Sequence, residues 1–253
     1  MVSVAIARNV VGVIGNIFSL FLFLSPLPTF IRICKKGAVE QYSATPYLIT
    51  LINCMFWVLY GMPWVHPNST LILTINVAGT LIELVFLTLF LIYSDKKKRA
   101  KVAPVVVGEV IIVVVLTVLV LTLLHTIHRR SMVVGIICVI FCSMTYASPL
   151  SVMKLVIRTK SVEYMPVSLS LATFANCVTW TCYAFLPYDP FALIPSVLGI
   201  AFSVSQLILY ATYYKSTKGQ MEAAQKEAET GRLSQDMLGN GNSHNHNIDI
   251  PDV

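Results

Sequence analysis

Charged side chains are scarce: only 12% of the residues are Asp, Glu, Lys or Arg, against about 25% in a soluble domain. Such a chain cannot coat a water-facing globule, and its 56% hydrophobic content equally excludes a disordered protein. A Ser/His/Asp constellation, a Gly-rich phosphate loop and clustered metal ligands are missing too, which removes the usual supports for an enzyme. His125 and His128 stand beside Arg129 at the edge of an apolar run, where solvation accounts for them. The six cysteines (Cys34, Cys54, Cys138, Cys142, Cys177, Cys182) lie in or at the edges of apolar runs and none in the loops where oxidation is expected, so the sequence argues against disulfides. Cys138 and Cys142 share a helix face at i, i+4 but lack His or acidic partners, and read as packing residues rather than metal ligands. No cofactor is expected.

Long apolar runs stand in place of charge. A bilayer core about 30 Å thick takes about 20 predominantly apolar residues per helical crossing, and seven stretches qualify: 10–31, 46–64, 71–93, 102–124, 132–157, 166–186 and 191–214. The first is too long for the apolar part of a signal peptide and lacks a basic lead with a small-residue cleavage site, so it reads as a retained helix. The net charge of +6 sits in short loops beside the spans rather than on one soluble face, which argues against a nucleic-acid partner. Arg32, Lys35 and Lys36, then Lys96 to Arg99 and Lys101, then Lys154, Arg158 and Lys160, then Lys215 and Lys218 all fall on the same side. By the positive-inside rule that side is cytosolic, with the amino terminus outside and the tail inside. Arg129-Arg130 is a mild exception, Trp64 reads as an interfacial anchor, and Asn68-Ser69-Thr70 is a glycosylation sequon on the outer side. Residues 219–253 turn polar and are expected to be disordered, with 220–232 able to form a short amphiphilic helix.

The chain also repeats itself. Ser25-Pro26-Leu27, Val39-Glu40 and Asn53-Cys54-x-x-Trp57-x-x-Tyr60 return as Ser148-Pro149-Leu150, Val162-Glu163 and Asn176-Cys177-x-x-Trp180-x-x-Tyr183, each offset by 123 positions. Three spans form one unit, three the other, and the fourth has no counterpart. One added helix restores the direction of the chain, so the units are parallel repeats. The expected fold is therefore an all-α membrane protein of seven transmembrane helices, as two parallel three-helix bundles joined by a linker helix (3+1+3). The first repeat spans 1–94, the linker with its flanking loops 95–130, the second repeat 131–215 and the disordered cytosolic tail 216–253.

A duplication that keeps an amide and an indole in register inside apolar segments preserves a polar constellation as well as packing. Asn53 and Asn176 lie near mid-depth, each with a Trp four residues on and so on the same helix face. An amide both donates and accepts, as a neutral polyhydroxylated ligand requires, and an indole offers a flat apolar face to a sugar ring. Asn76 and Ser196 lie at similar depths and can add a second polar layer. A lone intramembrane Asn usually joins helices, for about 0.6–2 kcal/mol, but matched Asn-x-x-x-Trp pairs in both halves favour a ligand site. Pro26, Pro46, Pro149 and Pro166 weaken turns at the cytosolic ends of four spans and describe a ring that can flex. Glu83 is the one acid within the repeat spans and lies two turns from Asn76; Glu109 in the linker reads as structural.

These residues resemble the SWEET family of sugar transporters over positions 5 to 215. The resemblance is carried by Gly12-x-x-Gly15-Asn16, Leu24-Ser25-Pro26-x-Pro28-Thr29-Phe30, Asn53-Cys54-Met55-x-Trp57-Val58-Leu59-Tyr60-Gly61, Ala147-Ser148-Pro149-Leu150-Ser151-Val152-Met153 and Lys160-Ser161-Val162-Glu163-Tyr164-Met165-Pro166. It implies a gradient-driven facilitator of mono- or disaccharides that rocks two bundles and is often homo-oligomeric. The family's proline tetrad falls on Pro26, Pro46, Pro149 and Pro166, and its pocket tryptophans on Trp57 and Trp180. Its paired sugar-binding asparagines fall on Asn76 and on position 196, which is Ser here, a departure that removes one amide. Pocket positions that vary among members match Asn53 and Asn176, and the extracellular gate matches Tyr60, Tyr183 and Asp189. The wording around Lys160 to Pro166 and Arg130-Ser131-Met132 resembles the hexose branch, and Asn53 and Asn176 narrow the pocket relative to a pair of serines. The resemblance therefore implies a uniporter of glucose-class hexoses at the plasma membrane, with a vacuolar site as the alternative. A sucrose facilitator is the nearest rival reading. A proton-coupled amino-acid exporter of PQ-loop type meets the absence of any Pro-Gln dipeptide, and a seven-span receptor fits poorly with a duplicated unit and no outer-loop Cys pair.

Overall fold

A computed structural model describes residues 2–163, 165–186 and 188–243. Among them run nine α-helices: α1 (Val2–Leu24), α2 (Leu27–Lys36), α3 (Thr45–Gly61), α4 (Thr70–Tyr93), α5 (Lys96–Leu123), α6 (Ile127–Thr145), α7 (Ala147–Thr159), α8 (Val167–Phe185) and α9 (Pro190–Ser243). They make seven crossings, because two spans are broken. Span one parts into α1 and α2 at Ser25-Pro26, and span five parts into α6 and α7 at Tyr146, three residues before Pro149. Proline lacks the amide donor that a continuous helix needs at that turn, which is why the break recurs at the repeated Ser-Pro-Leu.

Five spans are long and apolar enough to cross a membrane by length and composition. The other two are α3, with 17 residues, and α8, with 19. At 1.5 Å per residue α3 covers about 25 Å, the short end of what a bilayer core accepts. α8 is less apolar because Ser168, Ser170, Thr173, Asn176, Thr179 and Thr181 interrupt it.

Within the halves α3 packs on α4 and α8 on α9; between them α1 packs on α8 and α3 on α6. The two joining contacts map onto each other under the repeat, as a two-fold interface requires. A pair of glycines sets the spacing. A methyl on Gly79 would lie 2.7 Å from Phe23 and 3.0 Å from the Cys54 sulfur, and one on Gly199 would lie 2.7 Å from the Tyr146 hydroxyl and 2.4 Å from the Cys177 sulfur. Only a residue without a side chain lets the third helix of each half approach its broken helix so closely.

The linker α5 packs along α3, α4 and α6 and turns Val107, Ile111, Val114 and Val118 outward, while Glu109 is buried. Arginines close the C-terminal ends of α4 and of α5 itself. Arg99 donates to the Leu91, Ile92 and Ser94 carbonyls at the end of α4. Arg130 donates to the Leu121 and Leu124 carbonyls at the end of α5 and to the Trp64 carbonyl. Arg130, an exception to the loop-charge pattern, is thus a helix cap whose charge meets the negative end of the α5 dipole.

The tail departs from expectation. Instead of ending near residue 215, α9 continues to Ser243. Its first added turns are fastened: the Thr217 hydroxyl accepts from the Val162 amide at 2.8 Å and Lys160 donates to the Tyr213 hydroxyl at 2.9 Å. Beyond, as far as Arg232, the side chains are exposed, and the run Met221-Glu222-Ala223-Ala224-Gln225-Lys226-Glu227-Ala228 consists of strong helix formers. Polarity denied this segment a core but not a helix. Residues 244–253 of the expected tail lie outside the described residues.

Candidate functional site

The interface between the halves holds a cavity of about 170 Å³. Its wall is made of repeat-related pairs: Ser19 with Cys142, Phe23 with Tyr146, Asn53 with Asn176, Trp57 with Trp180, and Asn76 with Ser196. The first four stand 123 apart and the last 120, because the stretch from Trp57 to Asn76 is three residues longer than that from Trp180 to Ser196. All six residues expected to meet a ligand therefore converge on one space. Asn53 and Trp57 come from α3, Asn76 from α4, Asn176 and Trp180 from α8, and Ser196 from α9.

The indoles are set alike in both halves. Trp57 meets Tyr60 edge-on at 5.4 Å between ring centres, and Trp180 meets Tyr183 edge-on at 5.2 Å. Asn76 donates from its amide to the Ile72 carbonyl at 2.8 Å, and the Ser196 hydroxyl donates to the Ala192 carbonyl at 2.8 Å. Each side chain thus closes on its own helix, leaving the Asn76 carbonyl and the Ser196 oxygen lone pairs to accept.

Around Ser19 and Cys142 the two sides of the wall differ. The Ser19 hydroxyl accepts from the Trp180 indole at 2.9 Å and donates to the Asn176 carbonyl at 2.7 Å. On the other side Cys142 takes that place toward Trp57, but a thiol is a weak donor. The Asn53 carbonyl oxygen is accordingly buried without a protein partner, an acceptor open to a ligand hydroxyl. Neither Ser19 nor Cys142 stands out in the sequence, since a small hydroxyl or thiol on an apolar helix reads as packing. The repeat offset pairs them, yet their types differ. Ser19→Ala should lower flux about tenfold, because it leaves the indole N–H and the Asn176 carbonyl unpaired at about 1–3 kcal/mol. Ser19→Cys should recover part of that loss in the same flux assay.

One end of the cavity is sealed. Tyr60 is 0% exposed, Tyr183 2% and Asp189 3%. The Tyr60 hydroxyl donates to Asp189 Oδ1 at 2.8 Å across the two halves. The same oxygen accepts from the Phe191 and Ala192 amides and so starts α9. Tyr183, the repeat partner of Tyr60, lies under the Arg8 guanidinium at 4.4 Å.

The other end is parted. Around the sealed end one apolar cluster runs through both halves, from Phe56, Trp57 and Tyr60 to Val134, Cys138 and Tyr183. Toward the prolines it splits. Phe30, Ile33, Leu51, Phe86 and Phe90 form a core within the first half, and Val156, Val162 and Met165, with Tyr210 and Tyr213 against them, form a separate one in the second. Pro26 lies at the α1–α2 break, Pro46 in the first turn of α3, Pro149 in the first turn of α7 and Pro166 just before α8. The structure thus closes at the Asp189 end and separates at the proline end. Glu83 is 3% exposed and does not line the cavity.

A parallel duplication around a central neutral cavity, closed at one end, is the architecture of a carrier. The profile of a family described as "Sugar efflux transporter for intercellular exchange" matches this chain twice, over residues 9–98 and 132–218. The chain belongs to the SWEET family of sugar transporters. It is 55% identical over 225 residues to the bidirectional sugar transporter SWEET7 of Arabidopsis thaliana, covering 88% of this chain and 86% of that protein. It is 56% identical over 230 residues to the bidirectional sugar transporter SWEET4 of Oryza sativa subsp. indica, covering 90% and 89%. A solved eukaryotic SWEET transporter superposes with a TM-score of 0.81 at 36% identity, over 84% of this chain and 99% of that one. This SWEET is therefore a multi-pass membrane transporter with the 3+1+3 arrangement, and its family is one of transporters rather than enzymes.

Proposed function

We propose that this SWEET is a gradient-driven uniporter of glucose-class hexoses. The observation that carries the reading is the cavity itself, where two Asn-x-x-x-Trp pairs face each other across the repeat axis. In this mechanism the hexose ring lies between Trp57 and Trp180, whose faces cover its C–H surfaces. Its hydroxyls meet Asn53, Asn76, Asn176 and Ser196, which supply acceptors and donors without a fixed charge. No acid lines the cavity among the described residues, which favours uniport over proton coupling. Asn53 and Asn176, each larger than serine, crowd a second sugar ring and favour a hexose over sucrose.

The two halves rock about the proline ring Pro26, Pro46, Pro149 and Pro166, and Tyr60, Tyr183 and Asp189 form the gate at the opposite end. Each proline falls at a helix break, in a first turn or, for Pro166, just before one, where few helical hydrogen bonds resist bending. Arg32, Lys35, Lys36 and Lys96 to Arg99 gather at the proline end, so that end faces the cytosol and the Asp189 end the outside of the plasma membrane. The outward valine and isoleucine face of α5 suits lipid or a second copy in a homo-oligomer.

Labelled glucose and sucrose, followed in both directions across proteoliposomes holding the purified chain, test this reading. Glucose should equilibrate in either direction, sucrose should not, and a proton gradient should not raise internal glucose above the external level. Movement of sucrose alone would overturn the hexose assignment, and accumulation driven by the proton gradient would overturn uniport.

A further inference from the structure

The repeat places one more residue in the gate. Shifted by 123 positions, Asp189-Pro190 falls on His66-Pro67, so the acid that closes the cavity has a histidine as its counterpart. The two meet near the repeat axis, with His66 Nε2 3.6 Å from Asp189 Oδ2. His66 Nδ1 lies 2.7 Å from the Ser131 hydroxyl of α6 in the other half. Its ring stacks on Tyr60 at 4.6 Å and 17°. His66 sits with α3 in the first half, stacked on Tyr60, and reaches across to the second half through Ser131 of α6 and Asp189 before α9, contacts that must part for this end to open.

We propose that His66 is a positioning residue of the gate and makes it pH-sensitive: the neutral ring helps hold the Asp189 end shut, and protonation loosens it. The inference rests on reading that end as a gate. The charged and titratable groups around the ring are Asp189 before α9, Arg8 of α1, Tyr60 of α3 and Tyr183 of α8 under Arg8, with Cys138 of α6 behind Asp189. Arg130 is engaged on the Trp64 carbonyl in the same loop.

The balance among these groups gives the sign. Burial pushes the His66 imidazole below its ordinary value, Asp189 acts the other way, and Arg8 adds to the lowering. A base with a lowered pKa in the closed state makes its full contribution to closure above its ordinary value of about 6.5. That contribution is lost as the pH falls, since opening hydrates the ring and lets it take a proton. Acid on the Asp189 side then changes the rate of opening, not the sugar equilibrium, so uniport is preserved.

Cys142 lines the cavity and reports opening. In chains with Cys34 and Cys182 replaced by serine, a membrane-impermeant methanethiosulfonate is added from the Asp189 side of sealed proteoliposomes. Labelling is counted as the part that Cys142→Ser abolishes. Comparing His66 with His66→Gln cancels the thiol's own pH dependence. The ratio of the labelling rate at pH 5.5 to that at pH 7.5 should be about three to ten times larger with His66 than with His66→Gln. Equal ratios, or a smaller ratio with His66, would overturn the proposal. Because no sugar needs to move, a wrong substrate assignment leaves this result unaffected.

Discussion

Replacing Trp180 by alanine should lower glucose flux about thirtyfold or more while surface expression stays within about twofold. The indole contributes an apolar face worth about 1.5–3 kcal/mol when buried against a ligand. It also donates to Ser19, which in turn donates to Asn176. Truncation therefore removes a wall of the cavity and frees a second side chain of the proposed site, and about 2 kcal/mol already corresponds to some thirtyfold. Trp180→Phe keeps the face and loses only the N–H, so it should retain more flux than the alanine variant. Native flux in Trp180→Ala, measured in proteoliposomes with quantified protein, would remove Trp180 from the site.

The second large effect belongs to Asp189. One carboxylate oxygen accepts from Tyr60 across the halves and from two amides that start α9. Asp189→Ala takes away a charge-assisted buried bond worth about 1.5–3 kcal/mol and a cap worth about 1 kcal/mol. The sealed end should then rarely close, and a carrier that cannot close one end cannot complete its cycle. Flux should fall more than about tenfold, and Cys142 should label faster from the Asp189 side. Asp189→Asn, which keeps an acceptor for Tyr60 and for the helix start, should recover much of both. An Asp189→Ala chain with native flux and native labelling would show that the seal is held elsewhere.

The spans and their pairing were legible because bilayer thickness imposes a length and duplication imposes a register, and both survive in a single sequence. Asn53, Trp57, Asn176 and Trp180 were legible for the same reason, since identity at a fixed offset inside apolar runs is hard to miss. Ser19 and His66 were not. Each has a repeat partner of a different type, Cys142 and Asp189, so a search for matching residues passes over them. Only the folded contacts show that the unlike partners occupy like places. Arg130 looked like a stray loop charge because helix ends need caps that one sequence does not announce. The tail was read from its inability to bury surface, a criterion that is silent about a solvated helix of Ala, Glu, Gln and Lys.

The near-symmetry of the cavity has a consequence for the passenger. A wall of identical pairs would offer a hexose two seats related by a half-turn, presenting different hydroxyls to the same amides. Equal occupancy would add only about 0.4 kcal/mol of mixing entropy but would leave no single orientation for the sugar. Ser19 opposite Cys142, and Asn76 opposite Ser196, make the two seats of the proposed site unequal, so a sugar held there is expected to prefer one pose and to travel with a defined end forward.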